Sequence, residues 1–262
     1  MTTRPATGHS TGPARHAEDQ VGQQVEQAIE GRAVTAWGDL PPQVVERRDE
    51  AATVDCGWGR IVFGQTFPDA AAVATAMRAE KPGSRDICLY AKDPHVVVGH
   101  APNELFIDPS HTYRLNFHRY RPRRSPIRGV RVRSLLEPDD AQAVDTLYQR
   151  NGMVTAPSGH IWNNQRGKVF TYLVAEDTGT GNIIGTVMGI DHVEAFADPE
   201  GGTSLWTLAV DPQSSRPGVG EALVRTLVER YQALGRRWLD LSVMHDNQPA
   251  IRLYEKLRFR RV

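Results

Sequence analysis

Cysteine is nearly absent: Cys56 and Cys88 are the only two in 262 residues, and they form no C-x-x-C pair. That excludes a disulfide framework and a cysteine-based zinc site, and makes a reducing cytosol the default setting. There is no excess of charge, since 31 basic side chains balance 31 acidic ones. A dedicated nucleic-acid binder usually shows a basic surplus, so neither that class nor a membrane partner is expected. No apolar run approaches the roughly 20 residues that span a bilayer. The opening MTTRPATGHSTGPARHAEDQ also lacks the apolar core of a secretory signal. His95, His100, His111 and His118 have no tight ligand spacing, so no metal is expected.

A core can still be built. Hydrophobic residues make up 40% of the chain and charged ones 24%, as in soluble globular proteins rather than disordered ones. Residues 1–33 are polar and read as a disordered tail. Residues 34–118 read as a small α+β unit: a strand over 60–63, a helix over 68–81, and strands over 86–91 and 95–99 around a turn at Lys92-Asp93-Pro94. An Arg/Pro-rich linker is expected over 119–128. From 129 to 262 the periodicities predict a mixed α/β sheet. They give an opening strand at 130–135, a helix from Pro138, a hairpin over 169–190, a strand at 205–210, a helix over 218–234, a strand at 238–243, a short helix at 249–257 and a final strand. Eight arginines and no acid lie between Arg114 and Arg133. That run fits either a funnel for a polyanion or, with Pro122 and Pro126 inside it, a solvated linker.

The stretch LAVDPQSSRPGVGEAL, 208–223, carries the chemistry. A buried strand feeds a glycine-containing loop that opens directly into an amphipathic helix. The first turn of a helix has free N–H groups and the positive end of the dipole. Gly218 and Gly220 remove side chains there, so a phosphate can approach the backbone, and Arg216 adds a cation at the rim. The G-K-[ST] of a Walker loop and the G-x-G-x-x-G of a dinucleotide fold are both missing.

About thirty residues on, Asn247, Ala250, Tyr254 and Phe259 stand in the spacing N-x-x-A-x-x-x-Y-x-x-x-x-F. Together the two stretches resemble the GNAT superfamily of acetyl-coenzyme A-dependent N-acetyltransferases. The family's loop reads V-x-P-x-x-[RQ]-x-x-G-x-[GA], matched by Val210, Pro212, Gly218 and Gly220, with Ser215 at the usual Arg/Gln position. The family's later Gly is Arg258 here.

The resemblance implies a GNAT acyltransferase fold, α+β with a mixed sheet, over about 128–262, and acetyl-CoA as cofactor. It implies that Leu208, Ala209 and Val210 pair with the pantetheine arm at a splay between two strands. Ser215, Arg216, Pro217, Gly218, Val219 and Gly220 would surround the pyrophosphate, with Asn247 and Ala250 nearby. A backbone N–H near Leu208 would stabilise the oxyanion, and Tyr254 would protonate the departing thiolate. For the base, Glu194 and His192 at the end of the hairpin are preferred, with Asp191 and His245 as further candidates. The segment 152–166, with Trp162 and two asparagines, reads as an irregular substrate-binding loop. GNAT folds usually carry one more strand in the sheet's C-terminal half, so the sheet is expected to lack its last strand.

The front unit narrows the reading. Segments 56–67 and 105–115, together with 210–223 and 240–247, resemble bacterial N-acetylglutaminylglutamine synthetases. That group joins an acetyltransferase region to an ATP-grasp ligase region and makes an osmolyte. The resemblance implies acetyl transfer to the α-amine of glutamine or glutaminylglutamine, a small-molecule acceptor, with an ATP-grasp region in a longer protein. A protein or peptide N-acetyltransferase, or a non-catalytic CoA-binding scaffold, fits the same two motifs.

Overall fold

A computed structural model describes residues 50–122 and 127–262; the expected tail and the start of the front unit lie outside the described residues. The front unit begins with a small sheet of β1 (Thr53–Asp55), β2 (Arg60–Phe63) and β3 (Ile87–Leu89), in the order β1-β2-β3. Helix α1 (Ala70–Arg78) is capped by Asp69, whose carboxylate accepts from the Ala72 N–H at 2.8 Å. The segment expected as a strand at 95–99 is instead helix α2 (Pro94–His100). Pro94 at its first turn has its φ preset for a helix and lacks the N–H that a helix start would leave unpaired. The run Val96-Val97-Val98 has no periodicity to separate helix from strand, and Val97 packs against Val73 and Ala74 of α1.

The main sheet has seven strands in the order β10-β4-β9-β8-β7-β6-β5. These are β4 (Ser110–Asn116), β5 (Val130–Ser134), β6 (Phe170–Asp177), β7 (Ile183–Asp191), β8 (Gly202–Val210), β9 (Trp238–Met244) and β10 (Arg260–Arg261). Between them lie α3 (Pro138–Arg150), α4 (Ser158–Asn164), α5 (His192–Phe196), α6 (Val219–Ala233) and α7 (Gln248–Lys256).

Two expectations about domains change here. The boundary drawn at 118 does not separate two sheets, because β4 comes from the front unit and pairs antiparallel with β9 from Ser110↔Met244 to Asn116↔Trp238. The C-terminal half of the sheet, expected to lack a strand, is filled by β4 lying between β9 and β10. The physical reason is burial. Leu115 and Tyr113 of β4 enter the same cluster as Leu239 and Leu241 of β9 and the apolar stripe of α6.

That cluster fills one face of the sheet, under α6 and α7. The other face holds Ala141, Val144 and Tyr148 of α3, Ile161 of α4, and Val54, Ile61 and Phe63 of the front sheet. The front unit is therefore packed on one side of the 129–262 half and woven into its sheet. Among the described residues no helix is long and apolar enough to cross a membrane.

The arginine run is not a uniform field. Arg114 pairs with Asp240, Arg131 with Glu176, and Arg133 with both Asp140 and Glu176.

Candidate active site

Strands β8 and β9 run parallel and pair only from Gly202↔Trp238 to Leu205↔Leu241. Beyond Leu205 they part, and β8 continues to Val210 held by β7 alone. The parting coincides with a bulge. Met188 opposes Thr207 while Gly189 opposes Leu205, leaving Trp206 as the extra residue of β8. Asp211 N–H donates to Ile184 O at 2.9 Å. The alternation of an antiparallel ladder then turns Ala209 toward β7, and points the N–H and C=O of Leu208 and Val210 into the open slot. Asn151 Nδ2 reaches Val210 O at 3.2 Å from the slot's end.

The loop that follows is turned by its own side chains. Asp211 Oδ1 accepts from Gln213 N–H at 2.9 Å, and its Oδ2 takes Arg150 at 2.7 Å. Ser214 Oγ accepts from Arg216 N–H at 3.3 Å. Gly218 then adopts φ +84° as N-cap of α6 and offers no side-chain cap. The first helical bond is Ala222 N–H to Gly218 O, so the amides of Val219 and Gly220 stay free of helical partners. Pro217 has no amide to offer. A Cβ on Gly218 would come within 2.8 Å of Ile127. One on Gly220 would meet Leu253, Val210 and Leu208 at 3.5 Å or more, so that glycine borders the mouth of the slot.

Two charges at this cradle are already committed. Arg216 is gripped by Asp177 of β6, with Nε–Oδ2 at 2.9 Å and Nη2–Oδ1 at 3.0 Å. The Arg216 hydrogen bonds hold the Asp177 carboxyl below the usual carboxylate range. Glu221, inside the first turn of α6, is neutralised by Arg225 at 2.9 Å and by Lys256 of α7 at 2.7 Å. Its carboxylate would otherwise oppose an anion there.

Helix α7 lies across the slot's other flank. Asn247 is its N-cap, accepting from Ala250 N–H at 3.3 Å. Ala250 and Leu253 pack against the cluster beneath the slot. Tyr254 is buried in that cluster with its ring 5.6 Å from Phe259. Burial pushes its phenol up to about 12, so it holds its proton throughout the neutral range.

The preferred bases are placed elsewhere. His192 is wholly enclosed, ringed by Phe63, Tyr90, Phe196 and Trp238, with Nε2 2.8 Å from Ser204 Oγ. A base with no exposed surface cannot take a proton from an amine directly, so the expectation of a direct base at His192 is not met; its ring nitrogens face Ser204 and, at 3.8 Å, Asp198. Glu194 sits in the first turn of α5, beside the paired end of β8, and its carboxylate lies 3.4 Å from Arg236. Asp191 caps that helix and pairs with Arg236 at 2.8 Å. His245 is exposed, with Nδ1 3.1 Å from Pro109 O. The structure gathers Leu208, Val210, the 215–220 loop, Ala250 and α7 around one slot; it does not bring Glu194 or His192 to it. The segment read as an irregular loop contains α4, whose Ile161 is driven into the core.

Trp206 and the buried pair of Tyr148 Oη and Thr207 Oγ1, 2.7 Å apart, lie where the bulge takes β8 away from β9. Sequence reasoning missed Trp206 and Thr207 because a bulge is a property of register, which a single strand's pattern does not carry.

A family profile described as the acetyltransferase (GNAT) family matches residues 127–259. An acetyltransferase of Pectobacterium atrosepticum is 30% identical over 131 residues, covering 49% of this chain and 86% of that protein. The [ribosomal protein bS18]-alanine N-acetyltransferase of Escherichia coli is 41% identical over 56 residues, which span 21% of this chain and 38% of that enzyme. Among solved structures, a GCN5-related N-acetyltransferase of Sphaerobacter thermophilus superposes with TM-score 0.48 at 18% identity, over 65% of this chain and 53% of that one. The segment that carries the slot, the cradle and Tyr254 is thus the segment the profile matches over half the chain, and on that ground the protein belongs to the GNAT family of acetyltransferases.

Proposed function

We propose that this acetyltransferase moves the acetyl group of acetyl-CoA onto the α-amine of glutamine or glutaminylglutamine, in the cytosol and in the service of osmolyte synthesis. GNAT enzymes use acetyl-CoA, which supplies an acetyl group activated as a thioester. The residues present fit it. The uncapped first turn of α6 offers the amides of Val219 and Gly220 to a pyrophosphate, and the slot offers the backbone of Leu208 and Val210 to an extended arm. Tyr254 Oη carries the proton that a thiolate leaving group requires. The α-amine of a dipeptide such as glutaminylglutamine has a pKa near 8, so a useful fraction is neutral at physiological pH and a bound water suffices as its base; the amine of free glutamine is more basic.

The observation that carries the acceptor class is the join between the two halves. Ile61 and Phe63, from the stretch 56–67 that resembles N-acetylglutaminylglutamine synthetases, are buried in one cluster with Ile161 and Tyr172. That stretch is thereby built into the acetyltransferase rather than appended to it.

A second reading, acetylation of a protein or peptide N-terminus, is favoured by the similarity to the E. coli enzyme named for alanine of ribosomal protein bS18. Thiol release from acetyl-CoA separates the two. Turnover with glutamine or glutaminylglutamine, and little with alanine-starting peptides, supports the first reading; the reverse preference overturns it.

A further inference from the structure

The turn between β1 and β2, residues 56–59, is fixed firmly against α4. Gly57 adopts φ +84°, and a Cβ there would come within 2.7 Å of the His160 ring. Asn164 Nδ2 donates to Asp55 O at 3.3 Å, and His160 Nε2 lies 3.4 Å from the same oxygen. Arg85 N–H donates to Trp58 O at 3.0 Å, tying the turn back to the front unit.

From this anchored turn Trp58 reaches Trp206, the ring centroids 6.2 Å apart and tilted by 41°. Both indoles are half-buried. Trp206 is the bulged residue at which β8 leaves β9, and its Nε1 is held by Ser204 Oγ at 2.9 Å. One indole is thus fixed from the sheet and the other from the front unit, at the point where the slot opens.

The slot has two approaches. The cradle, α6 and α7 occupy one face of the sheet. Trp206, Tyr148, Ala209 and Trp58 belong to the cluster on the opposite face. A nucleophile must reach the reacting carbonyl from a direction the donor does not fill, which leaves the opposite face, covered by α3, α4 and the front unit. We infer that the front unit forms one wall of the acceptor-amine site and that Trp58 is a specificity-determining residue, its indole facing the acceptor's side chain or second peptide unit. The inference rests on the acetyl-transfer reading of the slot. Indole faces suit planar groups such as a carboxamide or a peptide bond, and the family's own segment, 127–259, does not include Trp58.

The test uses the full chain and the variants Trp58→Ala, Trp58→Leu and Trp58→Phe, assayed with whichever of glutamine, glutaminylglutamine or an alanine-starting pentapeptide the wild type turns over best. Trp58→Ala is expected to raise the acceptor KM by about tenfold or more, while kcat at saturating acceptor and the calorimetric acetyl-CoA Kd move less than about twofold. Trp58→Phe restores most of the acceptor KM. Trp58→Leu keeps apolar volume against Trp206 and gives the same readout if the alanine variant melts below assay temperature. An unchanged acceptor KM in the folded Ala or Leu variant overturns the inference, and so does a parallel rise in acetyl-CoA Kd. If the best acceptor is the pentapeptide, the glutamine reading fails, while the Trp58 readout still decides this inference on that substrate.

Discussion

Arg114 on β4 and Asp240 on β9 meet fork to fork, Nε–Oδ1 at 2.8 Å and Nη2–Oδ2 at 2.9 Å, both side chains buried inside the sheet. The Arg114 guanidinium lies 3.8 Å over the Trp238 ring, and Tyr90 Oη of the front unit donates to Asp240 Oδ2 at 3.1 Å. This one cluster joins the front unit, its donated strand and the strand that borders the slot.

Removing one partner leaves the other buried charge without the counter-ion that pairs with it fork to fork. Arg114→Met or Asp240→Leu alone should cost about 3–5 kcal/mol of unfolding free energy, and the double variant much less than the sum. Urea unfolding of the four proteins measures the coupling. A near-additive cycle would show that the pair is not a unit.

The two glycines of the cradle should behave differently. Gly218 has φ +84° and Ile127 close by, so Gly218→Ala should cost about 1–2 kcal/mol through the left-handed backbone alone. It should also weaken acetyl-CoA binding. Gly220→Ala meets only ordinary contacts and gains helix propensity of up to about 1 kcal/mol. Paired melting curves and titration calorimetry check both halves.

Arg216 is held back by Asp177. Asp177→Asn keeps the turn bond from Gly179 N–H, 2.8 Å in the wild type, and releases the guanidinium toward the loop. The acetyl-CoA Kd should fall by about threefold at low salt, and by less as screening sets in. A Kd that rises instead would show that the pair positions the loop.

Tyr254 is expected to bear on turnover and on alkaline stability. Tyr254→Phe should lower kcat by about 10²–10⁴-fold, the usual range for loss of a positioned acid, with the acetyl-CoA Kd little changed. Burial lifts the folded-state pKa of Tyr254 to about 12, above the ordinary value of about 10. The folded protein therefore binds this proton more tightly than the unfolded one. Its contribution is intact below pH ~10 and is lost as pH rises toward ~12. Melting temperature against alkaline pH should fall less steeply in Tyr254→Phe. Tyr148, Tyr172 and Tyr231, also pushed up by burial, keep part of the slope.

What was legible in the sequence was local. The strand, loop and helix from Leu208 to Ala233 follow from Val210, Pro212, Gly218 and Gly220 within a few residues of one another, and the short helix that carries Tyr254 was legible too, whereas Asn247, expected beside the cofactor, is the cap of that helix. What was not legible depended on distance or register. Nothing near His111 or Leu115 announces a partner at Val243 or Leu239, because the pairing is set by a shared core more than a hundred residues away. The enclosure of His192 is made by Phe63, Tyr90 and Trp238, from three separate strands and loops. Its position at a hairpin end looked accessible only because those rings were out of view.

The strand borrowed from the front unit sets how this protein can be cut. A fragment trimmed to the family segment would keep β9 without β4, leaving a long row of unpaired backbone groups on a hydrophobic strand and Asp240 without its cation. Such an edge recruits whatever strand it meets, including one from another copy. The minimal expressible unit must therefore reach back at least to Ser110, seventeen residues ahead of the point where the family begins, and further still to keep Ile61 and Phe63 in the core.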